Sequence, residues 1–332
     1  MTNGAPDRGR EAESPAEIPA RGWLDVARRV KTEATADDVS LLAGGVAFFA
    51  LLALVPALVA LVSLYGLFAS EATVTEQVGK VLGAAPAEVQ NLVEEQLRAI
   101  VRTSASGVSL AVVVGLIVAL WSASSGMKHL IGAINLAYDE GETRGFVRVR
   151  AMSLGLTLGA VVFLVIAFGV IAVLPAALTK TGLGVAARIT VGVLRWLVLL
   201  VGMLVGLGVL YRYAPDRADP KWSWASPGAI FATVGFMVTS LLFSLYTANF
   251  GRYNETYGTL GAIVVVMLWL YFTALMVILG AELNAELERQ TRRDSTTGSP
   301  QPLGQRHAYA ADTVAPVPGD DGRQPDGARF PN

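Results

Sequence analysis

The residues able to do chemistry in this chain are few, and most lie inside or beside long apolar runs. Arg195 interrupts the run 189–211. A cation placed there either snorkels back to a headgroup or turns inward to bind an anionic group. Pro56 follows the Gly44 and Gly45 pair within the run 41–69. Such a proline removes one backbone hydrogen bond and tends to bend its helix, either as a structural kink or to free carbonyls that line a solute or ion path. Asn249, Tyr253, Asn254 and Tyr257 crowd a short connection together with Tyr246, Glu255 and Gly258. They offer donors, acceptors and ring edges that either line an opening or cap helices at an interface. Glu282 and Asn284, with Glu286, share nearly one helical face at spacings of two and four, as a gate or ion-coupling site or as a solvated helix exit.

Catalytic and metal chemistry find little to work with. The chain contains no cysteine, which excludes disulfides and thiolate ligands. Its two histidines, His129 and His307, stand far apart, and His307 lies in a polar stretch. No metal, cofactor or catalytic residue is assigned. A nuclease would need carboxylates set to hold divalent ions beside basic groups for phosphate. The best available set is Asp139, Glu140 and Glu142 beside Arg144, Arg148 and Arg150, which a flexible acidic loop explains as well. With 26 basic against 27 acidic residues the net charge is -1, so the basic footprint of a nucleic-acid partner is missing.

The elements that position these residues are membrane helices. Of 332 residues, 53% are apolar and only 16% charged, against roughly 25% charged in soluble domains; the mean hydropathy is +0.50. An ordinary soluble enzyme is excluded. A hydrocarbon core about 30 Å thick takes roughly 20 apolar residues of helix. Six runs qualify, at 41–69, 108–127, 151–178, 189–211, 227–248 and 260–280. The fold class is therefore all-α, a polytopic membrane helix bundle with six transmembrane helices. The polar stretch before the first run is too long for a secretory signal. Lysines and arginines collect near alternate span ends, about 14 on one side and about six on the other. Retention of basic flanks then places both termini in the cytoplasm. Trp121, Trp222 and Trp224 lie near span ends, where amphipathic rings anchor at headgroups.

Three units follow: a disordered tail over 1–22, a membrane domain over 23–289 and a disordered tail over 290–332. The tails are rich in Pro, Gly, Ala, Asp and Arg and lack apolar periodicity. Between Trp23 and Ala34, apolar residues recur at helical spacing with Arg28, Arg29 and Lys31 on other faces. This predicts an amphipathic helix on the inner leaflet, or a plain lead-in to span one. A second amphipathic helix is expected within 70–106, as a lid or as a helix packed across the outer end. Gly155 with Gly159, and Gly202 with Gly206, form two small-residue faces for close helix contact, inside the bundle or in a homo-oligomer.

Four blocks of the sequence also resemble a known family. They are DVSLLAGGVAFFALLALVP at 38–56, GAINLAYDEGETRGFVRVR at 132–150, YRYAPDR at 211–217, and the stretch 243–286. The last carries the Asn- and Tyr-rich turn, the pair Tyr257 and Gly258, Trp269, and the exit Gly-Ala-Glu-Leu-Asn at 280–284. Together they resemble the YihY/BrkB family over about residues 23–289. The resemblance implies a bacterial inner-membrane protein of six helices with both termini inside. The family has carried ribonuclease and virulence-factor labels, and neither brings a residue set that could be placed on this chain. The expected partners are membrane lipids and an anionic or amphiphilic solute. Function is expected to be solute or lipid translocation, with a membrane scaffold as the alternative and a ribonuclease as the least supported reading.

Overall fold

The computed structural model describes residues 8–66, 110–173, 185–250 and 259–316. Among them the chain is helical, apart from turns and one isolated antiparallel bridge between Pro220 and Thr296. A short helix α1 (Ala20–Ala36) leads into α2 (Val39–Gly66). Then come α3 (Leu110–Ala137), α4 (Phe146–Phe168), α5 (Val185–Tyr213), α6 (Trp222–Phe250) and α7 (Thr259–Glu288). A π-helical turn, Gly169–Val173, extends α4, and a single turn α8 (Tyr309–Asp312) follows α7. The six expected apolar runs fall one on each of α2 to α7.

Four stretches are long and apolar enough to cross a membrane: Phe146–Ile171, Ile189–Tyr213, Trp222–Tyr246 and Ile263–Glu288. Counting the bent pair Ala20–Ala36 and Val39–Leu54 as one broken span gives five. The 64° bend has a local cause. Asp38 sits at φ +49° between the two helices, a left-handed position that a short polar side chain tolerates, and its carbonyl accepts from Leu41 and Leu42 to start α2.

Each long helix packs on the next in the order α4, α3, α2, α7, α6, α5, and α5 returns to α4, so the six close a ring. Its dense core lies towards the end carrying most charge, around Ile131, Ile134, Tyr138, Tyr211, Ile278 and Ala281. Midway along the helices apolar side chains point outwards, Val193 65% and Leu241 62% exposed. An apolar exterior around a polar-ended core suits hydrocarbon surroundings. The tightest crossing is between α6 and α7. A Cβ on Gly228 would run into the Gly280 carbonyl and Asn284, and one on Gly280 would meet the Tyr211 hydroxyl. That hydroxyl donates to the Val277 carbonyl at 2.8 Å, tying α5 to the same point.

The structure corrects two expectations. Trp224 is not an interfacial anchor; it is fully buried among Ala12, Ile18, Val26 and Leu287. The tails, expected to be disordered throughout, are folded where the structure describes them. Residues 8–18 and 290–316 pack together at the charged end: Arg292 N donates to Arg10 O at 2.9 Å and Thr291 Oγ1 to Ala12 O at 2.7 Å. Arg306, 5% exposed, gathers the carbonyls of Arg292, Arg293, Gln301 and Ala311. Composition predicts disorder because no apolar stripe is present, but one guanidinium with five donors can order a loop through backbone acceptors alone.

The helix expected between Trp23 and Ala34 exists as α1. It docks on the exit of α7, burying Gly22, Asp25 and Val26 and leaving Trp23 and Leu24 exposed.

Candidate functional site

Helices α2 and α3 run antiparallel and touch closely where Gly126 meets Ala50, Ala53 and the Phe49 carbonyl. Towards the charged end they part. The gap is a partly open cleft of about 430 Å³. Leu41, Leu42, Gly45, Val46 and Phe49 form one wall, Ile131, Gly132 and Ala133 the other, and Val149 of α4 closes a side. Gly45 and Gly132 make the width: among the described residues, a Cβ on either would meet nothing within 4 Å.

The cleft wall is mainly apolar; Asn135 and Glu142 line it towards the charged end, and Lys128 and His129 line it beside the Gly126 contact. Lys128 is exposed and forms no ion pair among the described residues. Beside it the His129 ring lies flat on Phe49, with centroids 3.5 Å apart and planes 10° from parallel. Glu142 also lines the cleft, but its charge is taken by Arg144, whose Nη2 and Nε lie 2.6 and 2.7 Å away, and Asn135 donates to it at 3.0 Å. Among the lining residues the uncompensated charge is therefore the Lys128 cation, close to the Gly126 contact. An apolar pocket ending in a few polar groups is the general form of a site for an amphiphile.

Behind the cleft the helix ends are locked by charge. Arg217 and Glu288, both side chains 0% exposed, pair through two parallel bonds of 2.7 and 3.1 Å, and Ser295 donates to the same carboxylate. Burial works against the Arg217 charge, but Glu288 more than offsets it and raises its pKa above the ordinary value. Glu286 binds Arg29 of α1 and Arg289. Asp216 accepts from Thr143 and lies 3.5 Å from Arg144. Burial raises the pKa of its carboxyl, yet those bonds bring it below the usual range. Burial pushes Glu140 up to about 7, although the Tyr309 amide donates to it at 2.7 Å.

A model of the family described as "Virulence factor BrkB" matches residues 30–303. The chain belongs to this family. A BrkB-family relative from Bacillus subtilis, described as "Putative ribonuclease-like protein YfkH", is 33% identical over 256 residues, covering 74% of this chain and 89% of that protein. A UPF0761 membrane protein of Idiomarina loihiensis is 36% identical over 93 residues, 28% of this chain and 32% of its own. Another, from Tolumonas auensis, is 40% identical over 84 residues, 25% of this chain and 28% of its own. No solved structure matches.

In this BrkB chain the residues singled out by sequence do not share one site. Pro56 is half-buried within α2, seven residues beyond Phe49, and does not line the cleft. Arg195 is half-buried on α5, its guanidinium 5.5 Å from the Trp196 ring, and α5 gives nothing to the cleft. Asn249 falls on the last turn of α6, and its side chain lies outside the described residues. So do Tyr253, Asn254, Tyr257 and the amphipathic candidate within 70–106.

Glu282 and Asn284 are 2% and 0% exposed, which removes the solvated-exit reading. Asn284 joins α7 to α6, accepting from Gly228 N at 2.7 Å and donating to Ala225 O at 3.2 Å, beside Pro227, whose ring interrupts the α6 ladder. Glu282 Oε1 meets no partner among the described residues. Reasoning from sequence missed Lys128, Phe49, Gly132 and the placement of His129. An apolar stripe with one lysine at its end carries no signal until the facing helix is known.

Proposed function

We propose that this BrkB-family membrane protein crosses the bacterial inner membrane six times, keeps both ends in the cytoplasm, and moves an amphiphilic solute or lipid between membrane and envelope. The observation that carries this reading is the cleft between α2 and α3, mainly apolar and lined by one cation, Lys128, that has no ion pair among the described residues. Such a lining suits a molecule with a hydrocarbon part and an anionic part. No catalytic step is needed. The acidic loop that a nuclease would use is already engaged, Glu142 with Arg144 and Glu140 with the Tyr309 amide.

The test is flux in vesicles. Purified protein reconstituted with a headgroup-fluorescent phospholipid is expected to let dithionite bleach inner-leaflet probe faster than in protein-free vesicles. Gly132→Leu, which fills the cleft, is expected to slow that phase about tenfold. Bleaching no faster than in empty vesicles sinks the translocation reading.

The scaffold reading has one observation of its own. Gly155 and Gly159 are exposed on α4, and among the described residues a Cβ on either meets nothing within 4 Å. Such a face suits contact with another helix in the membrane. Gly202, by contrast, is covered by Phe163. Cross-linking through Gly155→Cys in native membranes, without flux in vesicles, would favour this second reading.

A further inference from the structure

We infer that Glu282 is a buried proton-binding site, whose carboxyl carries a proton while α1 is docked on α7 and gives it up to water when that contact opens. The inference goes beyond the translocation reading and does not depend on it. Three features carry it.

The first is a missing partner. Glu282 is 2% exposed, and its carboxyl makes no hydrogen bond or ion pair among the described residues, Oε1 being wholly enclosed. The carboxylates one and two positions further along this face and helix end are served differently, Glu286 by Arg29 and Arg289 and Glu288 by Arg217. An enclosed acid with no partner neutralises rather than hold a charge.

The second is the charge around it. Glu33 and Asp37 act on Glu282 from α1 and its C-terminal end, Asp139 from the turn after α3, and Glu286 from its own helix. The cations of this cluster are already engaged: Arg29 binds Glu286, and Arg289 binds Glu286 and lies 3.5 and 4.0 Å from Glu33 and Asp139. The Tyr138 phenol adds a neutral group from the end of α3. Tyr211 of α5 is committed to the Val277 carbonyl, and α2 and α6 contain no charged residue. An ionised Glu282 would therefore meet like charges on every side that carries charge.

The third is the cover. Two of those carboxylates, Glu33 and Asp37, belong to α1 and its end, so a charge on Glu282 repels the helix that encloses it. That helix joins α2 through the left-handed Asp38 at the 64° bend, a single-residue joint. Proton release and undocking are thus linked. Breaking the O–H bond leaves a carboxylate that pushes α1 away, and lifting α1 admits the water that takes the proton.

The experiment uses the full chain in lipid nanodiscs carrying Glu140→Gln, because burial raises that carboxyl as well, to about 7. At about pH 7, where exposed carboxyls are ionised, infrared spectroscopy is expected to show the carbonyl band of a protonated acid, shifted in heavy water. Glu282→Gln keeps the shape and the neutrality and is expected to abolish that band while leaving the thermal midpoint unchanged. Glu282→Leu repeats the test should the first variant misfold. Docking is read by the distance between spin labels at Ala27→Cys, exposed on α1, and Val147→Cys, exposed at the start of α4. One distance is expected at neutral pH. Raising the pH is expected to bring in a second population, which Glu282→Gln suppresses.

Absence of the acid band, or its survival in Glu282→Gln, would overturn the inference. So would a spin-label distance that ignores pH, or one that shifts equally with and without Glu282→Gln. Neither readout involves movement of solute or lipid, so the translocation reading stands or falls by its own test in vesicles.

Discussion

At the scale of single residues, the strongest commitments are buried polar groups that hold helices to one another. Arg217 and Glu288 are fully enclosed and pair in parallel, with Ser295 as a third partner. Losing one member strands the other's charge, which typically costs about 3–5 kcal/mol, whereas an apolar pair of similar volume is often neutral. Arg217→Met is thus expected to lower the thermal midpoint of the detergent-solubilised protein sharply, and Arg217→Met with Glu288→Met to recover most of it. A double variant as unstable as the single one would mean that packing, not charge, dominates there. Asn284 acts in the same way on neutral groups. Asn284→Leu removes both bonds to α6 beside Pro227 and is expected to cost about 1–3 kcal/mol in the same measurement. Neither role is legible in sequence. The spacing of Glu282, Asn284 and Glu286 announces a polar face, but a polar face at a helix exit is buried or solvated according to what docks on it. Here α1 docks, through Arg29 on Glu286.

At the scale of elements, the sequence is most informative about the long helices. Apolar runs of about 20 residues have few alternatives in lipid, so the positions of α2 to α7 follow from the residue pattern alone. Helix ends are less legible: α6 begins at Trp222, ahead of Pro227, because a proline in the early turns of a helix is sustained by Asn284 from α7. The segment carrying α8 is unreadable in sequence, since its order comes from Arg306 and from the Tyr309 amide on Glu140 rather than from periodicity. That contact gives the element a pH dependence. Burial raises the Glu140 pKa from the usual 4.5 to about 7, so the folded segment holds a proton that the unfolded one has released. The stabilisation is complete below about 4.5 and is lost as pH rises towards about 7. Hydrogen exchange at the Tyr309 amide should therefore accelerate across that window by more than its intrinsic base dependence, and Glu140→Gln should flatten the excess. Identical profiles for the two proteins would show that Glu140 does not set the docking of this segment.

At the scale of the whole molecule, the packing of the two terminal segments bears on topology independently of charge counting. Residues 8–18 and 290–316 bond to each other and to the same helix ends, through Gln290 on Arg8 O, Thr291 on Ala12 O and Arg8 on Asp25. Two segments in contact lie on one side of a bilayer, so the chain between them must cross an even number of times. The six crossings proposed above satisfy that parity, as would the four stretches that are long and apolar enough among the described residues, and five crossings would not. Parity does not say which side; the basic excess near the ends of α1, α4 and α7 supports the proposed cytoplasmic placement, because such flanks are retained in the cytoplasm. Since the native chain has no cysteine, single thiols report cleanly. Ala16→Cys and Ser299→Cys, both at exposed positions, are expected to resist a membrane-impermeant maleimide in intact spheroplasts and to react once the membrane is opened. Reaction of both before opening would keep the even count and invert the proposed orientation. Reaction of only one would break the contact between the terminal segments, and with it the closed ring of helices on which the cleft depends.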